Sequence, residues 1–574
     1  MRRWILIALA AAVASLALPA AAWAHAALLQ TNPVASRVVN TPPTEVSLRY
    51  SEPVEPRFAI VSVTNGAGDK MTAGPPSRSP TNADTLVVPL KKLGEGWYLV
   101  YWRVISVDGH PVRGAFTFAV GPNAGPAPQF AIPSISETAA TPKLVTARWF
   151  AFLSVMAAIG LFVLRVAIAR PLVTQVAGTR LRAVTFAFGV ASLVALLAIP
   201  VYFLLSTADF ALRSFWSFGT LFPLIRVSAF GRGWLDLEIA FALFAGAAGV
   251  AIWLDRPERR ERSVAAVIAL AGALGGAAAC LLVPATAGHA GQTSPRGLSI
   301  AFDWFHLAAG SLWVGGLIGL VVLAMSLPAA RRVAGLVVCV PRFSNVALVS
   351  VLVLVGAGIG SSVQHLPTLA SLWQTSYGET LLVKIALLGA ALLLASVNLL
   401  RTVPRFKACA QQPELGIPTA RLLRRLVGGE ALLLAGAVLA AAVLSSLPPP
   451  SKALASVGGA QAHVGPGPVT EVVSQNGYRL AVRVAPNKAA VPNSFQVAIT
   501  RGGKPVRNAD VTLDFTMLDM EMGQQAYHLT ETSPGTYGRA APALVMVGHW
   551  GLSFQVAPPG QRPFTVLLVD KANG

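Results

Sequence analysis

Eight apolar stretches, near residues 149–169, 183–206, 234–254, 263–284, 300–327, 344–363, 378–400 and 427–447, limit what this chain can fold into. Each is about 20 residues or slightly longer, enough for an α-helix to cross a hydrocarbon core ~30 Å thick. Lipid offers no hydrogen-bond partners, so a segment that crosses it satisfies its own backbone, and stretches like these do so as helices. Composition agrees. Asp, Glu, Lys and Arg make up 12% of the 574 residues and hydrophobic residues 54%, whereas soluble domains carry about 25% charged residues. Cys280, Cys339 and Cys409 have no metal-ligand spacing and offer no disulfide framework.

The excess of basic residues, 45 Lys and Arg against 25 Asp and Glu, fits arginine-rich cytoplasmic loops rather than nucleic-acid binding. Loops 170–182, 255–262, 328–343 and 401–425 carry 16 Lys or Arg, and loops 207–233, 285–297 and 364–377 carry 4. The positive-inside rule puts the first set in the cytoplasm and both chain ends outside. The N-terminus points the same way. Arg2 and Arg3, an apolar run over 4–18 and Ala22-Trp23-Ala24 form a secretory signal over 1–24. Cleavage after Ala24 makes His25 the first residue, and an uncleaved anchor helix is the alternative.

Between residues 25 and 121, short apolar runs at 46–50, 58–63, 86–90, 97–104 and 115–120 alternate with turn clusters such as Asn65-Gly66 and Gly94-Glu95-Gly96. This spacing predicts a small β-sandwich or Greek-key barrel. A Pro/Ala/Ser-rich linker over 122–145 leads into the membrane domain, 146–447. A second linker, 448–469, precedes another β-rich region, 470–574, with runs at 478–484, 494–500, 510–515, 552–556 and 564–569 and turns at Asn476-Gly477 and Gly502-Gly503. The expected architecture is thus a polytopic helical membrane domain flanked by two extracytoplasmic all-β domains.

Three constellations bear chemistry. In the first, an N-terminal His25 offers its α-amine and ring nitrogen to one metal, while Asp108-Gly109-His110 adds a carboxylate and an imidazole. On an extended strand Asp108 and His110 share a face, and this donor set suits tetragonal Cu(II). Taken alone, Asp-Gly followed by His reads as a turn with an exposed histidine. The second lies in the membrane. Asp303 and His306 are one helical turn apart, and His289 precedes them at the mouth of the fourth segment. Ionisable residues inside a bilayer are costly and mark functional sites. Glu379, Asn398 and Glu430 fall near segment ends and are assigned to anchoring or helix–helix hydrogen bonding. The third groups Met517, Met520, Met522 and Met546 with His528 and His549. Thioethers select Cu(I), and methionine as core filler is the competing reading.

The segments His25-Ala-Ala-Leu-Leu, Asn32-Pro33 and Val107-Asp108-Gly109-His110-Pro111-Val112-Arg113-Gly114 resemble the CopC family of periplasmic copper proteins. That resemblance implies Cu(II) ligation by His25, Asp108 and His110. Some members add a Met-rich loop for Cu(I), but residues 65–90 hold only Met71, so Cu(II) alone is expected here. His306-x-x-Ala-Gly-x-x-Trp313-Val-Gly-Gly and Thr375-x-Tyr377-Gly378 with Lys384 resemble the CopD family of inner-membrane copper-resistance proteins, which implies copper uptake. The C-terminal pattern resembles YtkA-like domains.

The function expected from these readings is periplasmic Cu(II) capture and copper transfer into or across a bacterial inner membrane, not catalysis. The partners expected are copper ions, the lipid bilayer and periplasmic copper carriers. No Gly-x-x-x-x-Gly-Lys-Ser/Thr loop is present for ATP-driven pumping. Two alternatives remain at this stage. A copper oxygenase also uses an N-terminal histidine, although the Asp108 carboxylate favours binding over oxygen activation. A haem-bearing redox protein would use His289, His306 or His365 as axial ligands.

Overall fold

The computed structural model of the protein describes residues 28–573 apart from 35–37, 52, 55, 106–110, 123–140, 212–213, 219–228, 260, 292, 294, 410, 448, 451–459, 490, 520–524, 542 and 546, and gives no side-chain placement for 111, 210–211, 229–230 and 289. The expected signal segment, 1–24, lies outside the described residues.

The N-terminal β region contains β1 (Leu28–Asn32), β2 (Val38–Val39), β3 (Glu45–Tyr50), β4 (Ile60–Asn65), β5 (Ser77–Arg78), β6 (Thr85–Pro89), β7 (Gly96–Ile105) and β8 (Pro111–Val120). They form two four-stranded sheets, ordered β1-β3-β6-β5 and β2-β8-β7-β4. Alternation sets the core. Val46, Leu48 and Tyr50 of β3 face inward with Val61 and Val63, Leu86 and Val88, and Val100, Trp102 and Val104, while the intervening residues point to the opposite face of each sheet. Gly114 has a packing reason. It pairs with Trp102, and a Cβ there would meet the Trp102 indole at 2.7 Å.

The middle of the chain forms eight helices long and apolar enough to cross a membrane: α1 Pro142–Gln175, α2 Arg182–Asp209, α3 Gly231–Leu254, α4 Val264–Ala287, α5 Arg296–Ser326, α6 Ala329–His365, α7 Ser376–Ala408 and α8 Pro413–Leu444. Several run well beyond the apolar stretches. At 37 residues and ~1.5 Å per residue, α6 is far longer than a bilayer core. Residues 329–343 and most of 401–425, expected as loops, are helical. Hydropathy marks only the lipid-crossing part, whereas arginine-bearing turns stay helical because their side chains reach water.

Close packing of α1 and α5 explains the small residues of the fifth segment. A Cβ on Gly160 would fall 2.1 Å from the Ser311 carbonyl oxygen and 2.7 Å from Gly315 Cα, and one on Gly316 would strike the Phe343 ring. Two polar clamps tie helix ends. At one, the buried Arg148 guanidinium donates to Tyr202 (2.9 Å from Nε), Ser445, Ser446 and the Ala442 carbonyl. At the other, Arg165, Arg170 and Arg262 converge on the buried Asp255 carboxylate at 2.8, 3.1 and 3.5 Å.

The C-terminal region holds β9 (Ala462–Val464), β10 (Val469–Gln475), β11 (Tyr478–Ala485), β12 (Asn493–Arg501), β13 (Lys504–Pro505), β14 (Asp510–Met517), β15 (Gln525–Ser533), β16 (Thr536–Ala541), β17 (Gly548–Ala557) and β18 (Phe564–Ala572). Strands β10-β11-β12-β16-β15 continue through β14 into β17-β18-β9, with β13 on β12. Asn476-Gly477 joins β10 to β11 with φ of 51° and 79°, the two-residue turn whose positive φ matches strand twist. β15 escaped the apolar-run reading because its outward residues are polar and only Tyr527 and Leu529 are buried.

Candidate metal centres

In the N-terminal region His25, Asp108 and His110 lie outside the described residues, but the elements that flank them are placed. The five-residue connection carrying Asp108 and His110 joins β7 to β8, whose last and first residues, Ile105 and Pro111, pair. Leu28 opens β1 three residues after His25 and pairs with Tyr50. The Tyr50 ring packs edge-on against Trp102, with centroids 5.7 Å apart, and Trp102 is three residues from Ile105. The start of β1 and the β7–β8 connection therefore fall at one end of the sandwich. Met71 packs against the core, as filler rather than as part of a methionine-rich loop.

In the helical unit, Asp303 and His306 both lie on α5. His306 Nδ1 is 3.1 Å from the Leu354 carbonyl of α6. A carbonyl only accepts, so the Nδ1 proton sits in this bond and Nε2 carries the lone pair. The His306 ring packs over Gly358, where a Cβ would lie 3.5 Å away. Sequence reading left Lys384 of α7 without a role, yet it lies close enough to interact electrostatically with both Asp303 and His306. His289 opens a short 3-10 turn, His289–Gly291, and its side chain lies outside the described residues. Among the described residues no group of three His, Cys, Asp or Glu side chains stands ready to hold a metal.

One position is corrected here. Glu430 is not a snorkelling residue at a helix end, although helix–helix hydrogen bonding, the other reading given to it and to Asn398, holds. Because α8 begins at Pro413, Glu430 lies near mid-helix and is 2% exposed. It accepts a short hydrogen bond from Asn398 Nδ2 of α7, and the Trp313 side chain is a second hydrogen-bonding neighbour. The three arginines Arg421, Arg424 and Arg425 masked the first turns of this helix in the hydropathy pattern.

In the C-terminal region the structure joins Met517 and His549 around a residue the pattern did not single out, Asp519. The His549 ring Nδ1 lies 3.1 Å from Asp519 Oδ1, and the His549 backbone N–H donates to Asp519 Oδ2 at 2.7 Å. A carboxylate on Nδ1 fixes the ring tautomer and presents Nε2 as a donor atom. A Cβ on Gly548 would fall 2.4 Å from Asp519 Oδ2 and 2.6 Å from Met517 Cε, so the thioether and carboxylate converge on that glycine, whose φ is +141°. Met517, Asp519 and His549 are all buried. Met520, Met522 and Met546 lie outside the described residues, and His528 is exposed and pairs with Asp510 at 3.0 Å. Spacing offered one clue to Asp519, which alternates with Met517.

Comparison with known proteins gives three family matches: CopC domain over residues 28–121, Copper resistance protein D over 337–444 and YtkA-like over 473–555. The copper transport protein CutJ of Bacillus subtilis (strain 168) is 26% identical over 539 residues, covering 93% of this chain and 93% of that protein. Protein YobA of Escherichia coli (strain K12) is 38% identical over 114 residues, covering 20% of this chain and 91% of YobA. Among solved structures, CopC from Methylosinus trichosporium OB3b is 29% identical, covers 18% of this chain and 99% of that one, and has a TM-score of 0.17.

Proposed function

Since this chain belongs to the CopC–CopD copper-resistance family, with a YtkA-like domain at its C-terminus, we propose that it captures Cu(II) outside the cytoplasmic membrane and passes copper into or across it. The observation that carries this reading is the N-terminal sandwich. The start of β1 and the β7–β8 connection share one end, within three residues of His25 on one side and around Asp108 and His110 on the other. An α-amine, two imidazoles and a carboxylate suit tetragonal Cu(II). A nearly full-length relative named as a copper transport protein supports movement as well as storage.

The path continues into the helices at His289, then Asp303 and His306. With Nδ1 committed to Leu354, His306 would bind copper through Nε2. Lys384 would have to turn from Asp303 or lose its proton as a cation arrived. In the C-terminal domain, Met517 and the His549 Nε2 offer soft donors suited to Cu(I). Both β domains lie outside the cytoplasm in this reading, as the arginine-rich loops require, and other extracytoplasmic copper carriers are the partners to expect. No role as an enzyme is proposed.

Copper content of cells with and without the protein, measured over a range of external copper, tests the reading. Accumulation should rise when the protein is present and fall to the background level when one residue is inserted before His25, displacing the chelating amine. Equal copper content in all three strains, at matched membrane levels, would overturn it.

A further inference from the structure

The site around Glu430 is the strongest chemical feature that copper capture leaves unused. A cavity of about 120 Å³ lies among α5, α6, α7 and α8, with Trp313, Phe343, Ser344, Ser396, Asn398 and Glu430 in its wall. A single water needs ~10–15 Å³ on a comparable measure, so the cavity has room for one next to the carboxylate. The rest of the wall is apolar, and among its lining residues Glu430 alone is charged.

Asn398 is built to face this carboxylate. It opens a π-helical turn, Asn398–Thr402, in α7, and such turns are frequent at functional sites. Thr402 Oγ1 donates to Asn398 Oδ1 at 3.1 Å, which fixes the amide with its NH₂ group toward Glu430. Trp313, an N–H donor only, approaches the same carboxylate from α5. These donors are neutral. The charged groups interspersed with the lining residues along these helices, Arg342, Arg401, Arg424 and Arg425, are exposed. Asp303, His306 and Lys384 are further along α5 and α7, at least seven residues from Trp313 or Asn398. Cys339 of α6, a free and buried thiol, precedes the first lining residue of its helix, Val340. A buried carboxylate with donors but no countercharge gains from taking a proton. It lacks the soft or multiple ligands that copper selects.

We propose that Glu430 is a proton-binding site, loaded and unloaded through this cavity, with Asn398 and Trp313 holding the ionised form. Coupling of that proton to copper movement rests on the copper-transport reading above.

A hydrophobic carbodiimide, which reacts with protonated carboxyl groups in apolar surroundings, tests the site on the full chain in native membranes. Peptide mapping should find the adduct on Glu430 and none on the exposed Glu414 of the same helix. Its yield should fall about tenfold or more from pH 6 to pH 9, because only the protonated carboxyl reacts. No adduct on Glu430, or a yield flat with pH, overturns the proposal. A second arm tests coupling. Copper accumulation by wild type should depend on external pH, and Glu430→Gln should remove that dependence while Glu430→Asp retains it. A Glu430→Gln protein with the wild-type pH profile overturns coupling. A wild type that moves no copper instead removes the transport reading and leaves the labelling to decide the proton site.

Discussion

Among the described residues of the helical unit two carboxylates are buried, and they are stabilised in opposite ways. Asp255 lies at the end of α3 beneath Arg165, Arg170 and Arg262. Burial alone would push its carboxyl up, but hydrogen bonds and charge from Arg165 and Arg170 override this and hold it below the usual range. Glu430 lies midway along α8 with two neutral hydrogen-bonding neighbours, Asn398 and Trp313, and no cation pairs with it among the described residues. The first site is a permanently charged clamp that joins α1 to the segment between α3 and α4. The second can change its protonation state without breaking an ion pair. A buried carboxylate is therefore structural or switchable according to the charge of its neighbours, not its depth.

The largest expected effect separates the two directly. Asp255→Asn leaves three arginines facing a neutral amide and should cost about 3–5 kcal/mol, read from thermal unfolding of the purified chain in detergent. A loss near zero would mean the clamp contributes nothing. Since the Asp255 value is lowered on folding, its stabilisation is present above the unfolded value of ~3.9 and is lost only as pH falls through the lower folded value. Across neutral pH its contribution should be flat.

A third carboxylate gives the opposite sign. In the C-terminal domain, burial pushes Asp570 up to about 6, against hydrogen bonds from Asn487 and the Lys571 backbone. Its stabilisation is complete below ~3.9 and is lost as pH rises through 6, a change of about 3 kcal/mol at ~1.4 kcal/mol per unit, of which about 2 kcal/mol falls above pH 4.5. Protease resistance of the C-terminal domain against urea, at pH 4.5 and pH 7.5, should show the loss in wild type and none in Asp570→Asn. A gain in resistance with rising pH would show that Asp570 has the wrong sign here.

Gly160→Ala calibrates the packing of the helical unit. Its Cβ would fall 2.1 Å from the Ser311 carbonyl oxygen, and such overpacking costs about 1–3 kcal/mol. If it matches Asp255→Asn in the same unfolding experiment, the helices tolerate no change of any kind and the contrast of charges loses its meaning. Glu430→Gln should have the smallest effect, under about 1 kcal/mol, because the amide oxygen still accepts from Asn398. A loss as large as that at Asp255 would make Glu430 a structural residue, even with its proton site intact.

Much of this architecture was legible in the sequence. Apolar length yields the eight helices and strict alternation yields β3, β11 and β12, because both signals depend on residues adjacent in the chain. Helix ends were not legible. Arginine-bearing turns of α6 and α8 look polar to a hydropathy reading yet continue the backbone hydrogen bonding, and Glu430 moved from a helix end to mid-span as a result. The small residues of α5 could be read as a close-approach face, but not that Gly160 was the partner of Gly315.

By itself, then, the sequence determined which segments meet lipid, which form sheets, and which residues are chemically able to bind copper. These follow from composition and period, which are local. Only the tertiary structure decided that Asp519 sets the tautomer of His549, that Lys384 stands beside Asp303 and His306, and that Asn398, Trp313 and Glu430 share one cavity. Each of those pairings joins residues at least 30 positions apart, or on different helices. No local pattern encodes which side chain will shield, neutralise or orient another across such a gap.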